Sequence, residues 1–122
     1  MQRVYCGKIN KDFLGKDVVV YGWVHSRRDH GGVIFIDLRD REGIVQVVFE
    51  PDNKEVFSKA EKLRNEYVVK VEGTVRLRPQ GTENPKLFSG EVEIICKNLE
   101  VLNMSKVLPF EISEYKNVSE EL

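Results

Sequence analysis

The sequence predicts an all-β domain with one helix: a closed barrel of five strands, with the helix between the third and fourth. Two observations carry this reading. Five segments are rich in β-branched and aromatic residues, and a single stretch between the third and fourth of them has helical spacing.

The first strand is DVVVYGWVHS, residues 17–26, running into the polar turn RRDHGG. Residues 33–39 and 44–50 form the next two strands, joined by DREG, where Gly43 suits a positive φ, so the first three strands make a meander. The helix follows in PDNKEVFSKAEKLR. Asp52 and Glu55 form a capping-box-like start, and Val56, Ala60 and Leu63 share one face over about three turns. From Tyr67 to Arg78 apolar and polar residues alternate as in a half-buried strand, with Gly73 marking a bend. PQGTENPKLFSG (79–90) has two prolines, two glycines and no period, and reads as a long loop before the fifth strand at 91–102. Strand, strand, strand, helix, strand, strand is the order of an OB-fold barrel, assigned here to residues 1–104. Residues 105–122 read as a tail or hinge. Its last residues, NVSEEL, look like a helix start with Ser119 as N-cap, which fits either a chain cut from something longer or a frayed natural terminus.

Composition narrows the function classes. The chain has 122 residues, 41% hydrophobic and 32% charged, enough for one modest core. Its 19 Lys+Arg against 20 Asp+Glu give a net charge of −1, so no global field draws it to a polyanion, and any such site must be local. No apolar run reaches the ~20 residues that span a bilayer, and MQRVYCGKI lacks a secretion pattern, so a cytoplasmic location and no membrane partner are expected. Cys6 and Cys96, far apart and without a CxxC, read as buried or half-buried thiols.

Strand parity separates the two faces. Ile34, Ile36 and Leu38 form an inward row with Val45, Val47 and Phe49 beside them. Phe35, Asp37 and Arg39 then point outward, with Gln46 near Phe35 across the hairpin. An outward ring can stack on a base while a nearby amide donates and accepts at the base edge. OB-fold barrels bind oligonucleotides on this face, helped by the neighbouring loops. Arg27 and Arg28 lie where such a ligand runs, and guanidinium groups suit phosphates and base edges. Glu91 and Glu93 alternate with Val92 and Ile94 and face outward, where a carboxylate can read an amino or imino edge. Arg76, Arg78 and Lys86 supply positive charge opposite.

Other chemistries fit less well. Asp37, Asp40 and Glu42 could suggest a nuclease metal site, but Asp37 and Asp40 differ in parity and no further acidic ligand converges. His25 and His30 sit on an extended segment with no preferred metal geometry. No metal and no catalytic residue is therefore assigned. No phosphate loop, dinucleotide fingerprint or Ser/His/Asp set is present.

YCGKI, VVVYGWVHSRRDHGGVIFIDLRDREGIVQVVF and EKLRNEYVVKVEGTVRLRPQGTENPKLFSGEVEI together resemble the N-terminal anticodon-binding domain of bacterial-type aspartyl-tRNA synthetases. GWVxxRRDHGGxxFIDLRD is shared more loosely by the asparaginyl and lysyl enzymes of the same subclass. RPxGTxNPxLxxGEVE and the DREGIVQVVF hairpin are similar to the aspartyl branch. The resemblance implies that Phe35 stacks on the central uracil of the anticodon, that Gln46 and Arg28 hydrogen-bond it, and that Glu93 helps to read the first base, guanine or queuine. It implies further tRNA contacts at Arg27, Arg76, His30, Arg78 and Asn84, the last three near the third base. His30 and Gly81 resemble the relaxed type of enzyme that charges both aspartate and asparagine tRNAs. It also implies a catalytic domain after Leu122 that uses ATP and Mg2+ to form aspartyl-adenylate, usually in a homodimer. This chain by itself would bind an anticodon and catalyse nothing. The alternative from the fold alone is a stand-alone OB-fold protein with general single-strand affinity.

Overall fold

The computed structural model describes residues 1–105. A two-residue strand β1 (Gln2–Arg3) and two 3-10 turns (Cys6–Lys8 and Lys11–Phe13) lead into β2 (Asp17–His30), β3 (Val33–Asp40) and β4 (Gly43–Phe49). Helix α1 (Lys54–Ala60) comes next, then β5 (Val68–Leu77) and β6 (Val92–Asn103). The five long strands close on themselves in the order β2-β3-β4-β6-β5, with β5 returning to β2. This is the closed five-stranded barrel that the sequence predicts.

Closure depends on the length of β2. Its first half pairs with β5, from Asp17 opposite Thr74 to Trp23 opposite Val68. Its second half pairs with β3, from Trp23 opposite Arg39 to His30 opposite Val33. The register shifts between Val24 and Ser26, and such a bulge bends a strand and raises its twist, letting one strand serve both sides of a barrel. β2 thus extends four residues beyond the expected end at Ser26. Only Gly31 and Gly32 form the turn, with φ of 61° and 81°, the two-residue geometry that matches the twist of paired strands. Arg27, Arg28, Asp29 and His30 are therefore ladder residues rather than turn residues.

The inward rows are as parity requires: Ile34, Ile36, Leu38, Val45, Val47 and Phe49 are all buried. Gly73 sits where β5 shifts register against β6, and a Cβ there would lie 2.1 Å from the Ile95 carbonyl oxygen. Gly7 is equally constrained, since a Cβ would come within 1.9 Å of the Glu42 carbonyl oxygen in the β3–β4 turn.

The helix differs from the expectation in two ways. Asn53, not Asp52, caps it, accepting from the Val56 N–H. It also stops after two turns, because the chain tightens into i→i+3 bonds from Lys62 to Lys59 and from Leu63 to Ala60. Leu63 stays buried with Val56 and Ala60, so the shared apolar face outlasts the helix. The expected tail, with its helix start at Ser119, lies outside the described residues apart from Ser105.

Candidate nucleic-acid interface

One polar residue from each barrel strand lies in a single cross-strand row. Ser26 on β2 stands opposite Asp37 on β3, Asp37 opposite Gln46 on β4, Gln46 opposite Glu93 on β6, and Glu93 opposite Arg76 on β5. Cross-strand neighbours are close enough for direct side-chain bonding. The Ser26 hydroxyl donates to Asp37 Oδ2 at 2.8 Å. Gln46 Nε2 donates to Glu93 Oε1 at 2.7 Å, and Arg76 Nε donates to Glu93 Oε2 at 2.8 Å.

Arg28 stands opposite Phe35 and reaches over the row. Its Nη1 donates to Asp37 Oδ2 at 3.0 Å and to Ser26 Oγ at 3.2 Å, while Nη2 donates to Gln46 Oε1 at 3.0 Å. Phe35 is half-buried beside this fork. Together Arg28, Phe35, Gln46 and Glu93 line an open pocket of about 480 Å³, with Asp29, His30, Pro79 and Thr82 completing the wall. A ring with a fixed guanidinium and a fixed amide at its edge can stack a planar heterocycle and test its hydrogen-bonding pattern.

Within the pocket Gln46 lies opposite Asp37 rather than Phe35, whose own partner is Val48. The ring and the amide are therefore diagonal neighbours, still within reach of one flat ligand. Glu93 has the outward parity expected of it yet is only 1% exposed, because Gln46 and Arg76 cover its two oxygens. Buried carboxylates persist only when paired and hydrogen-bonded, and Glu93 meets both conditions.

The remaining sequence candidates divide by what they hold. Arg27 Nη1 donates to the carbonyls of Glu61 (2.8 Å) and Leu63 (2.9 Å), and Nε and Nη2 bind Asp29. It ties the end of β2 to the chain leaving α1. Arg76 is half-exposed and spans from Glu93 to Glu50. Arg78 is 9% exposed, donating through Nε to the Val92 carbonyl and through Nη1 to the Thr82 carbonyl. It thereby shapes the 79–91 loop that forms the pocket's far wall. Burial lowers the pKa of this guanidinium, with Asp37 and Glu93 pulling the other way and Arg28 adding to the lowering. Asn84 accepts from the Lys86 N–H and lies outside the pocket lining, as does Lys86. Glu91 is exposed and 3.7 Å from Lys11.

The acidic residues weighed as metal ligands have other partners. Asp40 accepts from the backbone N–H groups of Cys6, Glu42 and Gly43 and so fastens the β3–β4 turn. Asp37 is held by Ser26 and Arg28. Among the described residues no group of three or more His, Cys, Asp or Glu side chains could hold a metal ion.

Ser26 and Asp37 complete the site without having been singled out as readers. Ser26 becomes legible once RRDH is taken as strand, because it then shares the outward phase of Arg28.

A closed OB barrel with a half-buried ring beside fixed polar groups on its β3–β4 face has the architecture of a nucleic-acid-binding module. The comparisons agree: the chain belongs to the OB-fold nucleic acid binding domain family, the tRNA anti-codon type, whose model matches residues 18–102. It is 62% identical over 118 residues to an aspartate–tRNA(Asp/Asn) ligase from Endomicrobium trichonymphae, covering 97% of this chain and 20% of that protein. The chain thus spans about a fifth of that relative's length. Among solved structures it superposes on the asparaginyl-tRNA synthetase of Pyrococcus horikoshii with a TM-score of 0.70 at 30% identity, over 93% of this chain and 28% of that one. The aspartyl-tRNA synthetase of Entamoeba histolytica matches with a TM-score of 0.69 at 19% identity, over 82% of this chain and 21% of that one, a likeness of fold alone.

Proposed function

We propose that this chain is the anticodon-binding domain of an aspartate–tRNA ligase and that the Phe35 pocket receives the central anticodon base. The observation that carries the reading is the fork of Arg28 and Gln46 held at the edge of the Phe35 ring. Stacking supplies affinity that any base could earn, on the order of 1–3 kcal/mol, and the fork supplies selectivity. The 62% identity to a ligase named for both aspartate and asparagine tRNAs supports a domain that accepts both. His30, in the pocket wall, Arg78, at the start of the loop between β5 and β6, and Asn84, within that loop, are the residues proposed to meet the third base, where those two tRNAs differ. Aspartate activation with ATP and Mg2+, and assembly into a homodimer, are assigned to a longer protein of which this chain is a part, acting in the cytoplasm.

The alternative, a general single-strand binder, predicts indifference to sequence. Titrating the 122-residue chain with an aspartate anticodon stem-loop, and with one whose central uracil is replaced by adenine, separates the two. Tighter binding of the matched loop supports the anticodon reading; equal affinities overturn it.

A further inference from the structure

We infer that a ladder of alternating arginine and tyrosine side chains, at the far end of the β2–β3 pair from the pocket, binds backbone phosphates of the RNA strand that leaves Phe35. The inference rests on the anticodon reading above and adds a second contact surface for the same RNA.

Four side chains stack in turn. The Arg3 guanidinium lies 4.8 Å from the centre of the Tyr21 ring and 5.7 Å from that of Tyr5. Arg41 lies 4.9 Å from the Tyr5 centre on its own side, and its Nη2 donates to the Tyr5 hydroxyl at 2.8 Å. Backbone contacts bring these residues together. β1 sets Arg3 opposite Val19, on the same face of β2 as Tyr21. The Cys6 N–H donates to Asp40 at 2.6 Å, and Gly7 admits the Glu42 carbonyl where a side chain would not fit. Tyr5 is thereby pressed against the β3–β4 turn that holds Arg41, so the YCG and DREG segments form one surface.

A guanidinium stacked on a ring is held in place and loses water from one face, while its N–H edge stays available to a phosphate. Arg3 and Arg41 are both exposed. The carboxylates nearby do not cancel them. Glu42 is shared between Lys8 and Arg41, at 3.5 Å from each, and Asp40 accepts from backbone N–H groups of its own turn and of Cys6. Lys70, opposite Tyr21 on β5, is paired with Glu72 at 3.4 Å.

The ladder is continuous with the pocket. Arg39 extends the outward row of Phe35 and Asp37 and stands opposite Trp23, on the face that also bears Tyr21. It is exposed, and its guanidinium has no hydrogen-bond or ion-pair partner among the described residues. Asp37, between Phe35 and Arg39, is neutralised by Arg28 at 3.0 Å. From Phe35 to Arg41 the chain covers about 20 Å at ~3.3 Å per residue. An OB fold tracks roughly 4–16 nucleotides, so a strand anchored by one base at Phe35 reaches Arg39 and the ladder. In the other direction the hairpin ends in Asp29, His30, Gly31 and Gly32, with no lysine or arginine to meet a phosphate.

The test titrates the 122-residue chain and its Arg3→Gln, Arg39→Gln and Arg41→Gln variants over a range of salt. The probes are the matched aspartate anticodon stem-loop and one altered at the central base. Each variant is expected to bind both stem-loops several-fold more weakly at low salt, leaving the ratio between them unchanged. Each should also flatten the slope of log affinity against log salt by about 1, the loss of one phosphate contact. Arg39→Lys, which keeps the charge, should restore the slope. Unchanged affinity and slope in all three variants overturn the inference and make the ladder a tie within the fold or a contact with protein. A loss confined to the matched stem-loop overturns it too, because phosphate contacts carry no sequence information. Equal binding of the two stem-loops by the unaltered protein instead defeats the anticodon reading, while the salt slopes still decide on the ladder. Should Arg3→Gln or Arg41→Gln fail to fold, Arg39→Gln, which breaks no side-chain bond among the described residues, decides alone.

Discussion

Arg76 Nε and Glu93 Oε2 are 2.8 Å apart, and the arginine is half-exposed while the carboxylate is 1% exposed. The pair thus spans the boundary between solvent and the barrel's polar row. Arg76→Ala would leave a buried carboxylate without its cation, and breaking such a pair is costly because a charge is left uncompensated. Allowing for the exposure of the arginine, the expected loss is about 2 kcal/mol of unfolding free energy in urea. Glu50→Gln, at the exposed end of the same arginine, should change stability by less than about 0.5 kcal/mol.

Phe35→Ala should separate binding from folding. The ring is only half-buried and belongs to the outward row, so its loss should leave the barrel intact by circular dichroism. Affinity for the matched stem-loop should fall by the stacking energy, about 1–3 kcal/mol. Loss of folding would instead make Phe35 a core residue.

Arg27 should behave in the opposite way. Its guanidinium is committed to two carbonyls at the end of α1 and to Asp29. Arg27→Ala should cost about 1–3 kcal/mol of stability, the range for hydrogen bonds from a charged donor, measured by urea unfolding. Stem-loop affinity, measured at a temperature where the variant stays folded, should change little. A large affinity loss without a stability loss would return Arg27 to the binding face.

Both thiols should be inert in the folded protein. Burial pushes Cys96 up to about 12 and Cys6 well above its ordinary value of 9.0, with Asp40 adding to the rise at Cys6. Because the folded values exceed the unfolded ones, their contribution to stability is intact below pH 9 and is lost as pH rises toward 12. Unfolding free energy should therefore fall through this window, less steeply in Cys96→Ala. A thiol reagent at pH 8 should label neither cysteine until denaturant is added.

The barrel was legible in the sequence because Ile34, Ile36 and Leu38, and likewise Val45, Val47 and Phe49, recur at every second position, although Gln46 and Val48 between the latter are buried as well. The end of β2 was less legible. RRDH has four polar residues in a row, and only the pairing of Arg28 with Phe35 makes it a strand. The burial of Glu93 could not be read from parity at all. Parity gives direction, whereas burial here comes from Gln46 and Arg76 on neighbouring strands closing over the carboxylate. Arg27 and Arg28 are adjacent and chemically identical in the sequence, yet opposite faces of one strand give them opposite tasks.

The most direct test of the central claim places 4-thiouridine at the central anticodon position of an aspartate stem-loop and maps the photo-crosslink on the 122-residue chain. A crosslink at Phe35 or its immediate pocket neighbours is the predicted result. A crosslink mapping to the far end of β2, at Tyr21 or the Arg3 and Tyr5 side chains stacked near it, would contradict the assignment of the pocket.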